Sequence, residues 1–207
     1  MSGRLILVYG GSGSGKSAWA EKTLLAEAAR TPGSRAVYLA AMESSSPEAA
    51  ARIRRHRAMR AKHGAEAGLD FVTIERPTDI ASAPVQPGDF ILLEDLGNLL
   101  ANEIWSPIGA GPQNAPAHIL TGVHALLERV SFLAIVSNDI FSDGIQYDDS
   151  TMAYIRQLAS LHRSLSAIAE QTTEVVCGIP LTHFPKPPHQ TPVPRGKQHT
   201  RQDCAQK

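Results

Sequence analysis

Cysteine is nearly absent from this chain: Cys177 and Cys204 are the only two in 207 residues. Two distant cysteines make no disulfide framework, and no Cys/His spacing suits a structural zinc site. Aromatic residues are scarce too, at 5%, which leaves few platforms for stacking nucleic-acid bases. Charge of one sign is also missing, because 20 basic and 20 acidic residues give a formal net charge of zero. That removes the bulk electrostatic argument for a nucleic-acid or membrane partner. No apolar run approaches a membrane span and the amino terminus carries no signal-peptide pattern, so the expected compartment is the cytoplasm. What remains is a composition 43% hydrophobic, in a chain long enough for one domain with a substantial core.

The stretch that organises the rest is Gly10-Gly11-Ser12-Gly13-Ser14-Gly15-Lys16-Ser17. It fits G-x-x-x-x-G-K-[ST] and sits between an apolar run, Leu5 to Tyr9, and a helix-like segment, Ala18 to Ala29. Glycines let successive backbone N–H groups curl round an anion without a Cβ in the way. The helix N-terminus adds partial positive charge. Lys16 reaches β- and γ-phosphates, and the Ser17 hydroxyl serves Mg²⁺. A plain glycine-rich turn would not need every fixed position in this setting, so the sequence predicts binding of a nucleoside triphosphate.

Short apolar runs then alternate with helical stretches. Arg4 to Tyr9, Ala36 to Leu39, Phe71 to Ile74, Phe90 to Leu93 and Phe132 to Val136 read as strands, with Val175 to Pro180 as a last short one. Helices are expected over Asn98 to Trp105, His118 to Arg129 and about Ser150 to Ala169. In the last of these, Ile155, Leu158, Leu161, Leu165 and Ile168 form a core-facing stripe. Ser106 to Pro116, rich in glycine and proline, is a loop. The pattern predicts an α/β fold with a mostly parallel sheet. Residues 1–183 make the nucleotide-binding domain, and 184–207 a disordered, proline-rich polar tail.

Two further features bear on chemistry. Ser46-Pro47-Glu48 starts a helix, expected to run to about His63, with a serine cap and proline at its first position. It carries Arg52, His56 and Arg60 on one stripe, with Arg57 beside them. Such a stripe suits a polyphosphate, yet spacing alone favours a solvated basic face. The strand Phe90 to Leu93 runs into Glu94-Asp95. An acid at the end of an apolar strand, downstream of a phosphate loop, is placed to hold Mg²⁺ or its water. Ser137-Asn138-Asp139 puts polar groups at another strand's carboxyl end, where open α/β sheets bind ligands.

Together these pieces resemble the adenosylcobinamide kinase / adenosylcobinamide-phosphate guanylyltransferase family of cobalamin biosynthesis, over about Leu5 to Leu181. The resemblance rests on five motifs in order: the phosphate loop, Arg52-Ile53-Arg54-Arg55-His56-Arg57 with the exit Thr73 to Pro77, Leu93 to Glu103, Val136-Ser137-Asn138-Asp139, and Cys177 to Leu181. It implies a RecA-like P-loop sheet and a homo-oligomer, typically a trimer. It also implies two reactions. ATP or GTP phosphorylates the aminopropanol hydroxyl of adenosylcobinamide. GTP then guanylylates a histidine, matched here by His56, and the GMP passes on to give adenosylcobinamide-GDP. On this reading Arg52, Arg57 and Arg60 neutralise the triphosphate, while Lys16 serves both steps. Ser17 and Glu94 hold Mg²⁺, Glu94 being the acid that aligns with the family's.

The chain departs from the family pattern in places. Ser46 and Glu48 stand where an acidic pair is usual, Asp139 replaces glutamate, and Tyr154-Ile155-Arg156 and His162-Arg163 replace the usual residues of the long helix. The resemblance therefore assigns no role on that helix. Two other readings stay open at this level: a kinase that lacks the guanylyl step, and a P-loop NTPase switch acting on no corrinoid.

Overall fold

The computed structural model describes residues 3–41, 64–66, 68–69, 71–141 and 144–183. The predicted helix from Ser46 to His63, with Arg52, His56, Arg57 and Arg60, lies outside them, as does the expected tail at 184–207.

In chain order the elements are β1 (Arg4–Gly10), α1 (Lys16–Ala28), β2 (Ala36–Ala40), β3 (Phe71–Glu75), a 3₁₀ turn (Ile80–Ser82), β4 (Phe90–Glu94), α2 (Leu96–Trp105), α3 (Ala115–Leu127), β5 (Phe132–Asn138), α4 (Asp149–Ile168), β6 (Gln171–Val176) and β7 (Ile179–His183). The strands form one sheet in the order β3-β2-β4-β5-β1-β6-β7. Every pairing is parallel except β6 with β7. This is the mostly parallel, helix-flanked sheet, with the phosphate loop after its first strand, that the sequence predicts.

The apolar runs are continuous because both faces of the sheet are covered. Side chains alternate across a strand. Leu5 and Leu7 therefore join a core with residues of α2, α3 and α4, including Leu99, Leu100, Ile119, Val123, Leu158, Leu161 and Leu165. Ile6 and Val8 face the other way, into a core with Ala20, Leu24 and Ala28 of α1. The stripe expected on the long helix is buried at Leu158, Leu161 and Leu165, but Ile168 in its last turn is exposed.

The helix starts lie earlier than periodicity suggests, because polar caps and proline set them. Asp95 caps α2 by accepting from the Asn98 backbone N–H. Asp148 caps α4 through Ser150 and Thr151, and α3 takes Pro116 into its first turn. One expectation needs correcting. Val175 to Pro180 is not a single strand but the centre of a hairpin, β6 turning into β7. Cys177 and Gly178 both adopt positive φ, 49° and 82°, as a tight two-residue hairpin turn requires. Pro180 is tolerated because β7 is an edge strand.

The amino ends of β2 and β4 are tied by a buried ion pair. Asp89, 2% exposed, accepts from Arg35 Nε at 2.9 Å and Nη2 at 2.6 Å, and from the Gln86 backbone N–H at 2.7 Å. Removing one member of such a pair costs about 3 kcal/mol or more. Arg35→Ala, which strands the buried Asp89 carboxylate without its cation, should therefore lower unfolding free energy by about 3 kcal/mol in urea titrations. Nucleotide binding at the opposite edge of the sheet should survive. A loss below about 1 kcal/mol would mean the pair contributes no more than an exposed one.

Candidate active site

The carboxyl ends of β1, β4 and β5 converge on the phosphate loop. Gly10 closes β1, and Gly13 and Gly15 take φ values of 70° and 90°. Gly15 stands at the N-cap of α1 without a capping side chain. The first N–H groups of α1 thus point into the loop with no side chain of the cap across them. Lys16, only 8% exposed, folds back to donate its ammonium to Gly11 O at 3.1 Å.

The loop is pressed between neighbours. A Cβ on Gly10 would lie 2.4 Å from Val175 O and 2.7 Å from Ser14 Oγ. Asp139 N–H donates to Gly10 O at 2.9 Å, and Gly178 N–H to Ser14 O at 2.8 Å. The β6–β7 turn therefore buttresses the loop from one side and the end of β5 from the other. This role of the Cys177-Gly178 turn was not legible in the sequence, where only the glycine hinted at a turn.

Ser17 and Glu94, 77 positions apart in sequence, meet here: Ser17 Oγ donates to Glu94 Oε1 at 2.5 Å. Tyr38, a strand residue with no sequence signal for a site role, donates to Glu94 Oε2 at 3.3 Å. Asp95 points elsewhere. Its Oδ1 accepts from Asn98 N–H at 2.6 Å, and its Oδ2 faces the amides of Asn98 at 3.1 Å and Asn138 at 3.3 Å. Burial is the main cause that raises the Asp95 carboxyl above the usual range. The two neighbouring acids are thus separated by environment, Glu94 toward the Ser17 hydroxyl and Asp95 toward the cap of α2.

One hydroxyl and one carboxylate are hard oxygen donors. Among the described residues no cluster of three or more His, Cys, Asp or Glu could hold a metal. That donor set suits Mg²⁺, which keeps several waters and is completed by substrate phosphates. It does not suit zinc.

The sequence model of the cobinamide kinase / cobinamide phosphate guanyltransferase family matches residues 6–183. The chain belongs to this family. No curated protein matches it. Among solved structures, a KaiC-like protein from the hyperthermophilic archaeon Pyrococcus horikoshii OT3 is similar with a TM-score of 0.46 and 14% identity, over 84% of this chain and 72% of that one. As a cobinamide kinase / guanyltransferase, the protein is an enzyme of phosphoryl and guanylyl transfer in cobalamin biosynthesis. A phosphate loop followed by a strand-end acid is the equipment phosphoryl transfer generally uses. No helix among the described residues is long and apolar enough to cross a membrane.

Beside the site, His162 of α4 shares a hydrogen bond of 2.7 Å with Ser137 Oγ. Its ring stands edge-on to Tyr9 and Phe141. Burial pushes its pKa down to about 4, against a smaller upward pull from Asp139.

Two outcomes follow from this geometry. Gly10→Ala should abolish binding of a fluorescent nucleotide while far-ultraviolet circular dichroism stays near wild type; undiminished affinity would mean the loop tolerates a shift. For His162 the folded pKa lies below the unfolded one, so its contribution to stability is complete above about pH 6.5 and is lost as pH falls toward 4. The stability difference between the wild type and His162→Gln should therefore shrink across that window in denaturant titrations. A constant difference would show that His162 does not titrate as a buried neutral ring.

Proposed function

We propose that this kinase / guanyltransferase works on adenosylcobinamide through one nucleotide site and a covalent histidine. In the first step the aminopropanol hydroxyl oxygen attacks the γ-phosphorus of ATP or GTP. The bond to the β-phosphate oxygen breaks, the nucleoside diphosphate leaves, and the hydroxyl proton is released. In the second step an imidazole nitrogen of His56 attacks the α-phosphorus of GTP and pyrophosphate leaves. A phosphate oxygen of adenosylcobinamide phosphate then displaces the histidine, giving adenosylcobinamide-GDP and free His56. Neutral imidazole is a competent nucleophile toward phosphorus, and its N–P bond stays reactive enough to pass the group on.

The observation that carries this reading is the Ser17–Glu94 hydrogen bond at the phosphate loop, within a chain whose family match spans 6–183. The loop residues Gly10 to Ser17 cradle the phosphates, and Lys16 neutralises them in both steps. Ser17 and Glu94 would hold Mg²⁺, which when bound neutralises charge across the β- and γ-phosphates. Arg52, Arg57 and Arg60 would neutralise the triphosphate and the departing pyrophosphate. The working form is a homo-oligomer, a trimer on the family pattern, in the cytoplasm. Its partners are the corrinoid and the nucleotide, and neither nucleic acid nor membrane.

The test uses GTP labelled at the α-phosphate, with Mg²⁺ and no corrinoid. Label should remain on the denatured wild-type protein, be released by acid, survive base, and be absent from His56→Ala. Lys16→Ala should lose both labelling and corrinoid phosphorylation, whereas His56→Ala should keep part of the kinase activity. No label on protein that still binds GTP would leave a kinase alone. Equal loss of both activities in His56→Ala would end the division of labour.

A further inference from the structure

Beyond the two strand-end acids, α2 leads to exposed apolar side chains. α2 begins beside the Glu94 and Asp95 carboxylates and ends at Trp105, which is 57% exposed. Ile108, in the turn that follows, is 73% exposed. The chain has two tryptophans, and the other, Trp19, packs partly buried against the α1 core. An indole left mostly in water, with an exposed isoleucine beside it in sequence, marks a candidate for binding.

The platform is coupled to the acids through one side chain. The Trp105 ring leans on the Tyr154 ring of α4, with centroids 5.5 Å apart at 31°. The Tyr154 hydroxyl donates to Gly97 O at 3.1 Å. A Cβ on Gly97 would lie 3.0 Å from that hydroxyl and 3.3 Å from Asp95 Oδ1, so glycine is what lets the phenol and the carboxylate share this flank of α2. Burial, helped by the Asp95 charge, pushes the Tyr154 phenol up to about 12. It remains a proton donor across the working pH range, which fixes the ring that backs Trp105.

Two flat groups come to this enzyme, a nucleobase and a corrin, and the direction of the nucleotide decides between them. With the β- and γ-phosphates at Lys16 and Ser17 and the γ end toward Glu94, the ribose and base trail away on the other side of the loop. A phosphoryl acceptor enters opposite the leaving group, on the γ side. α2 starts directly after Glu94, at that end of the site, and Trp105 is its last residue. A corrin macrocycle offers a flat, largely apolar face with amides at its rim, which suits an aromatic anchor. α2 has ten residues, roughly 15 Å along its axis, and the Trp105 ring reaches part of the way back to Tyr154; an extended side arm of the macrocycle has to bridge the remaining distance to the acids.

We propose that Trp105, backed by Tyr154 and followed in the chain by the exposed Ile108, is the subsite that takes the corrin ring of the acceptor, with its hydroxyl-bearing arm laid along α2 toward Glu94. This rests on the kinase reading above and assigns a part to the long helix, for which the family resemblance supplied none. Loss of such a contact weakens ground state and transition state alike, so it should appear in KM rather than kcat.

The experiment is steady-state corrinoid phosphorylation by the wild type, Trp105→Ala and Trp105→Phe, with α-labelled GTP labelling and sedimentation alongside. In Trp105→Ala the KM for cobinamide should rise about tenfold. Trp105→Phe should recover most of that rise, and kcat, nucleotide affinity and histidine labelling should stay near wild type. A cobinamide KM within about twofold of wild type in Trp105→Ala would overturn the proposal. So would a fall in oligomer mass accompanied by loss of every activity, which would assign the face to a second copy of the chain. If the wild type itself does not phosphorylate cobinamide, the functional reading fails, and the subsite with it.

Discussion

Between Gly10 and Lys16 the backbone passes so close to its neighbours that no side chain fits at its first position. Val175 O and Ser14 Oγ occupy the space a Gly10 Cβ would need. Donated N–H groups from Asp139 and Gly178 grip the loop at Gly10 O and Ser14 O. This close approach sets the requirements for the surrounding sheet. β5 must lie against β1 so that its end meets Gly10, and β6 must lie on the other side so that the hairpin turn meets Ser14 and Gly15. The order β5-β1-β6 satisfies both. The nucleotide loop is thus shaped as much by the strands that flank β1 as by its own glycines.

The sheet keeps stability and chemistry at opposite edges. At the amino ends of the strands, Arg35 and Asp89 form a buried, bidentate pair. Each oxygen of that carboxylate is satisfied, and the backbone of Phe90 and Ser131 is knitted to the same corner. At the carboxyl ends polar groups gather round the phosphate loop: Lys16 folds back on Gly11, Ser17 meets Glu94, Asn138 faces Asp95, and the Asp139 N–H donates to Gly10 O. Between the edges, alternation along β1 feeds two separate cores, one under α1 and one under α2, α3 and α4. The helix dipole of α1 is then aimed into the phosphate loop, while its buried side only has to fill space.

Much of this was legible because it depends on local rules. Short continuous apolar runs marked five of the parallel strands, and the G-x-x-x-x-G-K-[ST] spacing marked the loop between β1 and α1. Boundaries were less legible, since they are set by caps. Asp95 starts α2 through a side-chain hydrogen bond to Asn98, which competes with reading Asp95 as a metal acid. The β6–β7 hairpin is hidden in the sequence because its turn is two residues long and β7 contains Pro180, a residue that argues against a strand except at an edge. Only the sheet order makes β7 an edge.

The sequence by itself determined the chemistry the chain is equipped for: a phosphate loop, a strand-end acid, and the family to which their order belongs. Those are properties of residue type and short spacing. The tertiary structure decided which of two adjacent acids faces Ser17, because the strand fixes Glu94 and the helix cap takes Asp95. It also decided that Tyr38, 56 positions away, reaches that same carboxylate. And it placed Trp105 beside Tyr154 at the far end of α2, a pairing between two helices that no local pattern encodes. Each of these depends on pairings across 49 positions or more, set by sheet order and helix packing rather than by neighbours along the chain.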